Sequence, residues 1–168
     1  ILCDQRLGET ALHAAAGRGL WIGRPVELPG SRPLQLEIGK DFGSALAQWP
    51  AEQVVKVLCF YHPDDPEALR LEQEATVIRL ATAARANRLE FLLEIIASKA
   101  GPVDDVTTAR VVERFYSLGV FPDWWKLEPM TSDKAWTKVC AAIDSHDPHC
   151  RGVVLLGLES SPERLAES

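Results

Sequence analysis

Two lysines and several carboxylates fall inside stretches that otherwise read as buried strands. Lysine is one of the few side chains able to attack a ketone as a nucleophile. The stretch Asp123-Trp124-Trp125-Lys126-Leu127-Glu128-Pro129 reads as a short aromatic strand ended by proline. Strand side chains alternate between two faces. Trp124, Lys126 and Glu128 therefore share one face, and Trp125 and Leu127 the other. Taken alone, this is either an edge strand with a solvated polar face or a lysine held in a pocket as an amine nucleophile. Further charges stand in the same kind of setting. Lys56 lies within Val54–Tyr61, Glu94 near the end of Leu89–Ile96, and Asp4 at the end of Ile1–Asp4. Charged side chains are almost never fully buried unless paired. Four neighbouring strands that each turn a charge inward are not an ordinary apolar core.

Two lysines and two or three carboxylates in one pocket suit Schiff-base chemistry. The attacking lysine must be a neutral amine. A second ammonium nearby and partial burial both favour that form. Lys56 would be the second ammonium, or would hold a substrate hydroxyl or oxyanion. Glu94 would move protons as the carbinolamine forms and a C–C bond breaks. Trp124 and Trp125 would supply walls of low dielectric.

The elements that must position these groups alternate along the chain. Six strand-like runs, Ile1–Asp4, Leu20–Glu27, Val54–Tyr61, Leu89–Ile96, the lysine strand and Gly152–Leu158, are each followed by a helix or a helix start. The helices are expected over Glu9–Ala16, Phe42–Trp49 with Asp41 as cap, and from Pro66 to about Ala86 with Asp65 as cap. Others are expected over Thr107–Leu118, Ser132–Asp144 and from Ser161 onward. In the helix to Ala86, Leu71, Ala75, Ile78 and Ala81 are expected to form the inward face. Strict alternation implies a parallel sheet with right-handed crossovers. No GxGxxG or GxxxxGK[ST] is present, which removes the nucleotide fingerprints of doubly wound sheets. The expected fold is therefore an α/β (β/α)8 TIM barrel, whose functional residues lie at the C-terminal ends of its strands. Such a barrel needs about 250 residues, and this chain has 168. The expectation is one partial barrel domain over residues 1–168, about six of eight βα units, strands two to seven.

Composition sets outer bounds. Apolar residues make up 46% of the chain and charged residues 25%, and the formal net charge is −6. That balance argues against a nucleic-acid or anionic-membrane surface. Cys3, Cys59, Cys140 and Cys150 show no paired spacing, so free thiols and a cytoplasmic location are expected. Plainer readings stand beside the chemical one. Lys56 is also explained as an ion-pair partner of Glu94 without chemistry, and Asp4 as a helix cap. Glu90 reads as a solvated residue at a strand start. His62 with Asp64 and Asp65 reads better as a turn and cap than as a metal cluster. His146, Asp147 and His149 read better as an exposed loop, His13 as structural, and Ser160-Ser161 as a cap.

The stretches Val55–Tyr61, Phe91–Ile95 and Trp125–Pro129 resemble, in order and spacing, the class I aldolase family that includes tagatose 1,6-bisphosphate aldolase. From Ile1 to about Ser160 the chain is similar to the aldolase-like domain fused C-terminal to 5-dehydro-2-deoxygluconokinase in inositol catabolism. The resemblance implies that Lys126 forms the Schiff base, with Lys56 as the family's second lysine, Glu94 as its active-site glutamate and Asp4 as its strand-two aspartate. It also implies a lyase of carbohydrate metabolism needing no cofactor or metal. Its substrate would be a phosphorylated sugar acid, 2-deoxy-5-keto-gluconate 6-phosphate, cleaved to dihydroxyacetone phosphate and malonate semialdehyde. Arg24 or Arg6 would hold the substrate carboxylate bidentately, and Glu128 would join Asp4 on the substrate side. A fused carbohydrate kinase domain and a homo-oligomer are further expectations. The alternative is a non-catalytic or regulatory module attached to that kinase. Gly157-Leu158-Glu159 departs from the family's small Ser-Ala-Gly run near the phosphate. The family's strand-one aspartate and strand-eight Gly-Arg phosphate site have no counterpart in the sequence. Isolated from the missing strands, the segment is expected to be inactive.

Overall fold

The computed structural model describes residues 1–157 and 161–166. Five strands form one wholly parallel sheet: β1 (Ile22–Pro25), β2 (Gln53–Cys59), β3 (Phe91–Ile95), β4 (Trp124–Leu127) and β5 (Gly152–Leu155). Their order in space is their order in sequence. Helices alternate with them: α1 (Gln5–Ala15) before β1, then α2 (Phe42–Leu46), α3 (Glu67–Ala86), α4 (Thr107–Ser117), α5 (Asp133–His146) and α6 (Pro162–Ala166). The sixth expected strand, Ile1–Asp4, is reduced to a single parallel bridge from Leu2 to Gly23. Two hydrogen bonds hold it, Cys3 N–H to Gly23 O at 3.0 Å and Gly23 N–H to Ile1 O at 2.8 Å. Gly23 lets the Leu2 side chain lie close over the strand. A Cβ would stand 2.5 Å from the Leu2 side chain.

Consecutive order with crossovers of one hand puts the helices on one face of the sheet. That face carries the main core. Val55, Val57 and Cys59 of β2, Leu93 and Ile95 of β3, and Trp125 and Leu127 of β4 pack with Val77, Leu80, Val111, Phe115 and Val139 from the helices. Trp125 is fully buried and donates its indole N–H to the Tyr116 hydroxyl at 2.9 Å. The opposite face presents Val54 and Lys56, Leu92 and Glu94, and Trp124 and Lys126. It curls inward. Trp21, just ahead of β1, meets Trp124 of β4 edge-on, with ring centroids 6.0 Å apart. Three strand spacings, about 14 Å in a flat sheet, separate β1 from β4.

Two helices depart from expectation. α1 begins at Gln5, not Glu9, because Asp4 caps it by accepting the Leu7 N–H at 2.8 Å. α3 begins at Glu67, and Asp65 is not its cap. The Asp65 carboxylate instead accepts the His62 N–H at 3.0 Å and pairs with Arg32. α3 also buries a different face, Gln73, Glu74, Val77, Leu80, Ala81 and Ala84, and leaves Leu71 52% exposed. Polar groups select that face. Arg114 of α4 grips the Glu74 carboxylate with two hydrogen bonds of 2.9 and 2.8 Å, and the Tyr61 hydroxyl donates a third of 2.6 Å. Gln73 donates to Phe60 O at 3.1 Å. The other expected helices occupy their places within a few residues, and Asp41 caps α2 through the Ser44 N–H. The four cysteines are free.

Candidate active site

β3 and β4 place Glu94 directly beside Lys126 in register. On the other side of β3, Glu94 is level with Leu58, so Lys56 sits two residues lower on β2. A lysine stem spans that step. The Lys56 ammonium lies 2.6 Å from Glu94 Oε2, and the Lys126 ammonium 3.0 Å from Glu94 Oε1. Each oxygen of one carboxylate thus holds a different lysine. All three residues are buried, at 5%, 2% and 9% exposure for Lys56, Glu94 and Lys126. Glu94 and Lys126 lie in the C-terminal halves of their strands and Lys56 at the middle of its strand, on the face away from the helices.

A fourth member joins them. Glu27, two residues past β1, is buried and accepts from Lys56 through Oε1 at 2.5 Å. Its other oxygen, Oε2, is buried without a hydrogen-bond partner. Glu27 reaches the site because the ladder continues past β1, with the Val26 N–H bonded to Lys56 O at 3.0 Å. An antiparallel bridge to Leu36 then turns the chain away. Sequence reading missed Glu27 because it stands at the mouth of a Pro- and Gly-rich loop, where a glutamate is ordinarily solvated. Strand parity was the available signal, since Gly23, Pro25 and Glu27 alternate onto one face. Two ammoniums and two carboxylates make the cluster neutral overall, the condition under which charges tolerate burial. The lysines are not equivalent: among the described residues Lys56 has two carboxylate partners and Lys126 one.

The remaining expected site residues lie elsewhere. Asp4 is the α1 cap, and Arg6 is exposed on the first turn of that helix. Arg24 faces the helix side of the sheet, in register with core residue Val55. It bonds Gln53 and Gln5 and stacks over Trp49 at 3.8 Å. None of the three reaches the lysines. Glu128 is on the lysine face but turns to the loop after β3. It accepts the N–H groups of Ala97 and Ser98 at 2.8 and 3.0 Å and the Ser98 hydroxyl. That loop is thereby tied to the exit of the lysine strand.

The histidines do turn and packing work. The His62 ring lies 2.8 Å from Pro102 O and accepts the Asp64 N–H at 3.1 Å, while Asp64 pairs with Arg110. His146 stacks flat on Tyr116, and Asp147 accepts the His149 N–H at 3.0 Å. Among the described residues no three His, Cys, Asp or Glu side chains converge as metal ligands. Ser160, expected as part of a cap, and Leu158 and Glu159 lie outside the described residues. Glu90, expected in solvent, accepts the Trp124 indole N–H at 2.9 Å and pairs with Arg151 at 3.1 Å.

Cavity size does not mark the lysine cluster. A cavity of about 670 Å³ lies at the N-terminal ends of β3 to β5 and is lined by Glu90, Asp123 and Arg151 among others. In parallel α/β folds that end of the strands serves stability and the other end chemistry. Convergent buried charge is the better guide here.

Fold and site together define an α/β protein with a five-stranded parallel sheet, whose helix-free face carries a buried Glu–Lys–Glu–Lys chain. The chain belongs to the family described as "Uncharacterized protein conserved in bacteria (DUF2090)", whose model matches residues 1–168. No curated protein matches it. Among the described residues, no helix is long and apolar enough to cross a membrane.

Proposed function

We propose that the protein is a class I aldolase domain whose nucleophile is Lys126. The observation that carries this reading is Glu94. Its carboxylate lies 3.0 Å from Lys126 and 2.6 Å from Lys56, buried between side chains of adjacent parallel strands. Lys56, held by two carboxylates, is the fixed ammonium. Lys126 shares its single partner and can pass a proton to it. Consecutive strand order and the inward curl favour a partial (β/α)8 barrel, with the lysine face as its interior.

The chemistry balances with these groups. The neutral Lys126 amine adds to a substrate ketone, the carbonyl oxygen takes up a proton, and water leaves as the iminium forms. Glu94 is in reach to carry those protons. A substrate hydroxyl then gives up its proton, the C–C bond breaks, and an aldehyde departs. The electron pair of that bond enters the iminium and makes an enamine. Protonation at carbon and hydrolysis by water release the second product and restore the amine. Lys56 stabilises oxyanion character close by. The substrate proposed from the family resemblance is a phosphorylated keto-sugar acid in the cytoplasm, with a carbohydrate kinase as neighbour in the parent protein.

Borohydride reduction in the presence of dihydroxyacetone phosphate tests the reading. The full-length protein is expected to gain a covalent adduct at Lys126 and to lose activity in step. No adduct at Lys126, with an adduct elsewhere or none, overturns it. The regulatory alternative predicts that Lys126→Ala leaves the parent unaffected, while the attached kinase depends on the domain. Chelators are expected to leave the aldolase rate unchanged.

A further inference from the structure

The helix-facing side of β1 holds a buried cation without a carboxylate. Arg24 is 6% exposed. Its two terminal nitrogens donate to the amide oxygens of Gln53 at 2.6 Å and Gln5 at 2.5 Å, and its Nε is buried with no partner. No ion pair among the described residues involves it, and burial pushes its guanidinium below the usual arginine range. Buried guanidinium groups are ordinarily matched by a carboxylate or phosphate. Glutamines supply acceptors but no countercharge.

A cavity of about 500 Å³ opens beside it, walled by Arg24, Arg6, Gln5, Trp49, Leu28 and Ile38, with Glu37 at an exposed edge. Gln5 and Arg6 are the first two residues of α1. The N-terminus of that helix is itself capped by Asp4, so the positive charge on this wall comes from Arg6 and Arg24. The Trp49 ring lies under the Arg24 guanidinium and fixes its plane.

We propose that this cavity binds a small organic anion, an oxyanion head of carboxylate or phosphate type on a flat or apolar body. The head meets Arg6 and Arg24 and displaces the exposed Gln5 amide. The body lies against Leu28, Ile38 and Trp49. Two guanidiniums against one edge carboxylate leave the wall net positive. The volume suits a metabolite-sized ligand. This site is on the opposite face of the sheet from Lys56, so it does not rest on the aldolase reading.

Calorimetric titration of the full chain with phenyl phosphate, benzoate and inorganic phosphate tests it. Phenyl phosphate or benzoate is expected to bind, and inorganic phosphate more weakly because it lacks the body. Arg6→Ala is expected to weaken binding about tenfold, the loss of one charge-assisted contact. Arg24→Gln is expected to abolish binding, and Lys126→Ala to leave it unchanged. The proposal is overturned by no binding up to about 10 mM, by equal affinity in Arg6→Ala, or by loss of binding in Lys126→Ala. Arg6 is exposed, so its variant decides the matter even where Arg24→Gln fails to fold.

Discussion

Glu94 is the residue on which the cluster turns, because it is the shared partner of both lysines. Glu94→Ala would leave two buried ammoniums short of a carboxylate. Breaking a buried pair in this way costs about 3–5 kcal/mol, to be read from the urea midpoint. Glu94→Gln keeps the shape but not the charge. On the proposed aldolase reading its rate is expected to fall about 10²–10⁴-fold, the range for losing a positioned acid–base group, with borohydride trapping at Lys126 slowed to match. Glu27 acts one step further out. Glu27→Gln leaves Lys56 with Glu94 alone, so Lys56 competes harder with Lys126 for that carboxylate. We expect a smaller loss, about tenfold in kcat with KM little changed, and a shifted pH–rate profile as the readout. Sequence reading found Lys56, Glu94 and Lys126 because a charge inside an apolar strand is conspicuous. It missed Glu27 because that residue stands at the mouth of the Pro- and Gly-rich loop, and it misplaced Arg24, whose parity in β1 puts it on the face opposite Glu27.

At the level of elements, the α3–α4 contact shows how polar groups override an apolar stripe. Burial pushes the Glu74 carboxyl up, but the hydrogen bonds from Arg114 and Tyr61 outweigh it and leave it below its ordinary value. A depressed carboxyl adds stability above its unfolded value and loses it as pH falls toward the folded one. The stability Glu74 contributes is therefore expected to fall as pH drops from the ordinary carboxylate range toward its lower folded value. Arg114→Leu should weaken or reverse that dependence and cost about 1–3 kcal/mol at neutral pH, by circular dichroism across pH. Tyr61 runs the other way: burial, then Glu74, pushes its hydroxyl up to about 12. Stability held by the neutral phenol is lost as pH rises toward that value. Of the expected stripe Leu71, Ala75, Ile78 and Ala81, Ala81 is buried and Ile78 packs against the core, whereas Leu71 and Ala75 are exposed. Periodicity ranks residues by hydrophobicity and cannot see that an arginine on another helix will reach Glu74.

For the whole molecule, the sheet is strongest in its middle. β2, β3 and β4 are paired on both sides, whereas β5 has one described neighbour and Ile1–Asp4 is held by one bridge. Amide hydrogen exchange is expected to be slowest in Val55–Cys59 and Leu92–Ile95, and fast in Ile1–Asp4 and β5. Uniform protection across all five strands would contradict that gradient.

The alternation of strands and helices, the parallel sheet and the identity of three of the four clustered charges were present in the amino-acid sequence. Each depends on local periodicity or on a charge standing out against its immediate neighbours. Tertiary structure alone decided that Glu27 completes the cluster, that Arg24 faces the other side of β1, and that α3 buries Glu74. Each of those outcomes depends on which groups meet across elements distant in the chain, and a buried charge is stable only where such a partner arrives.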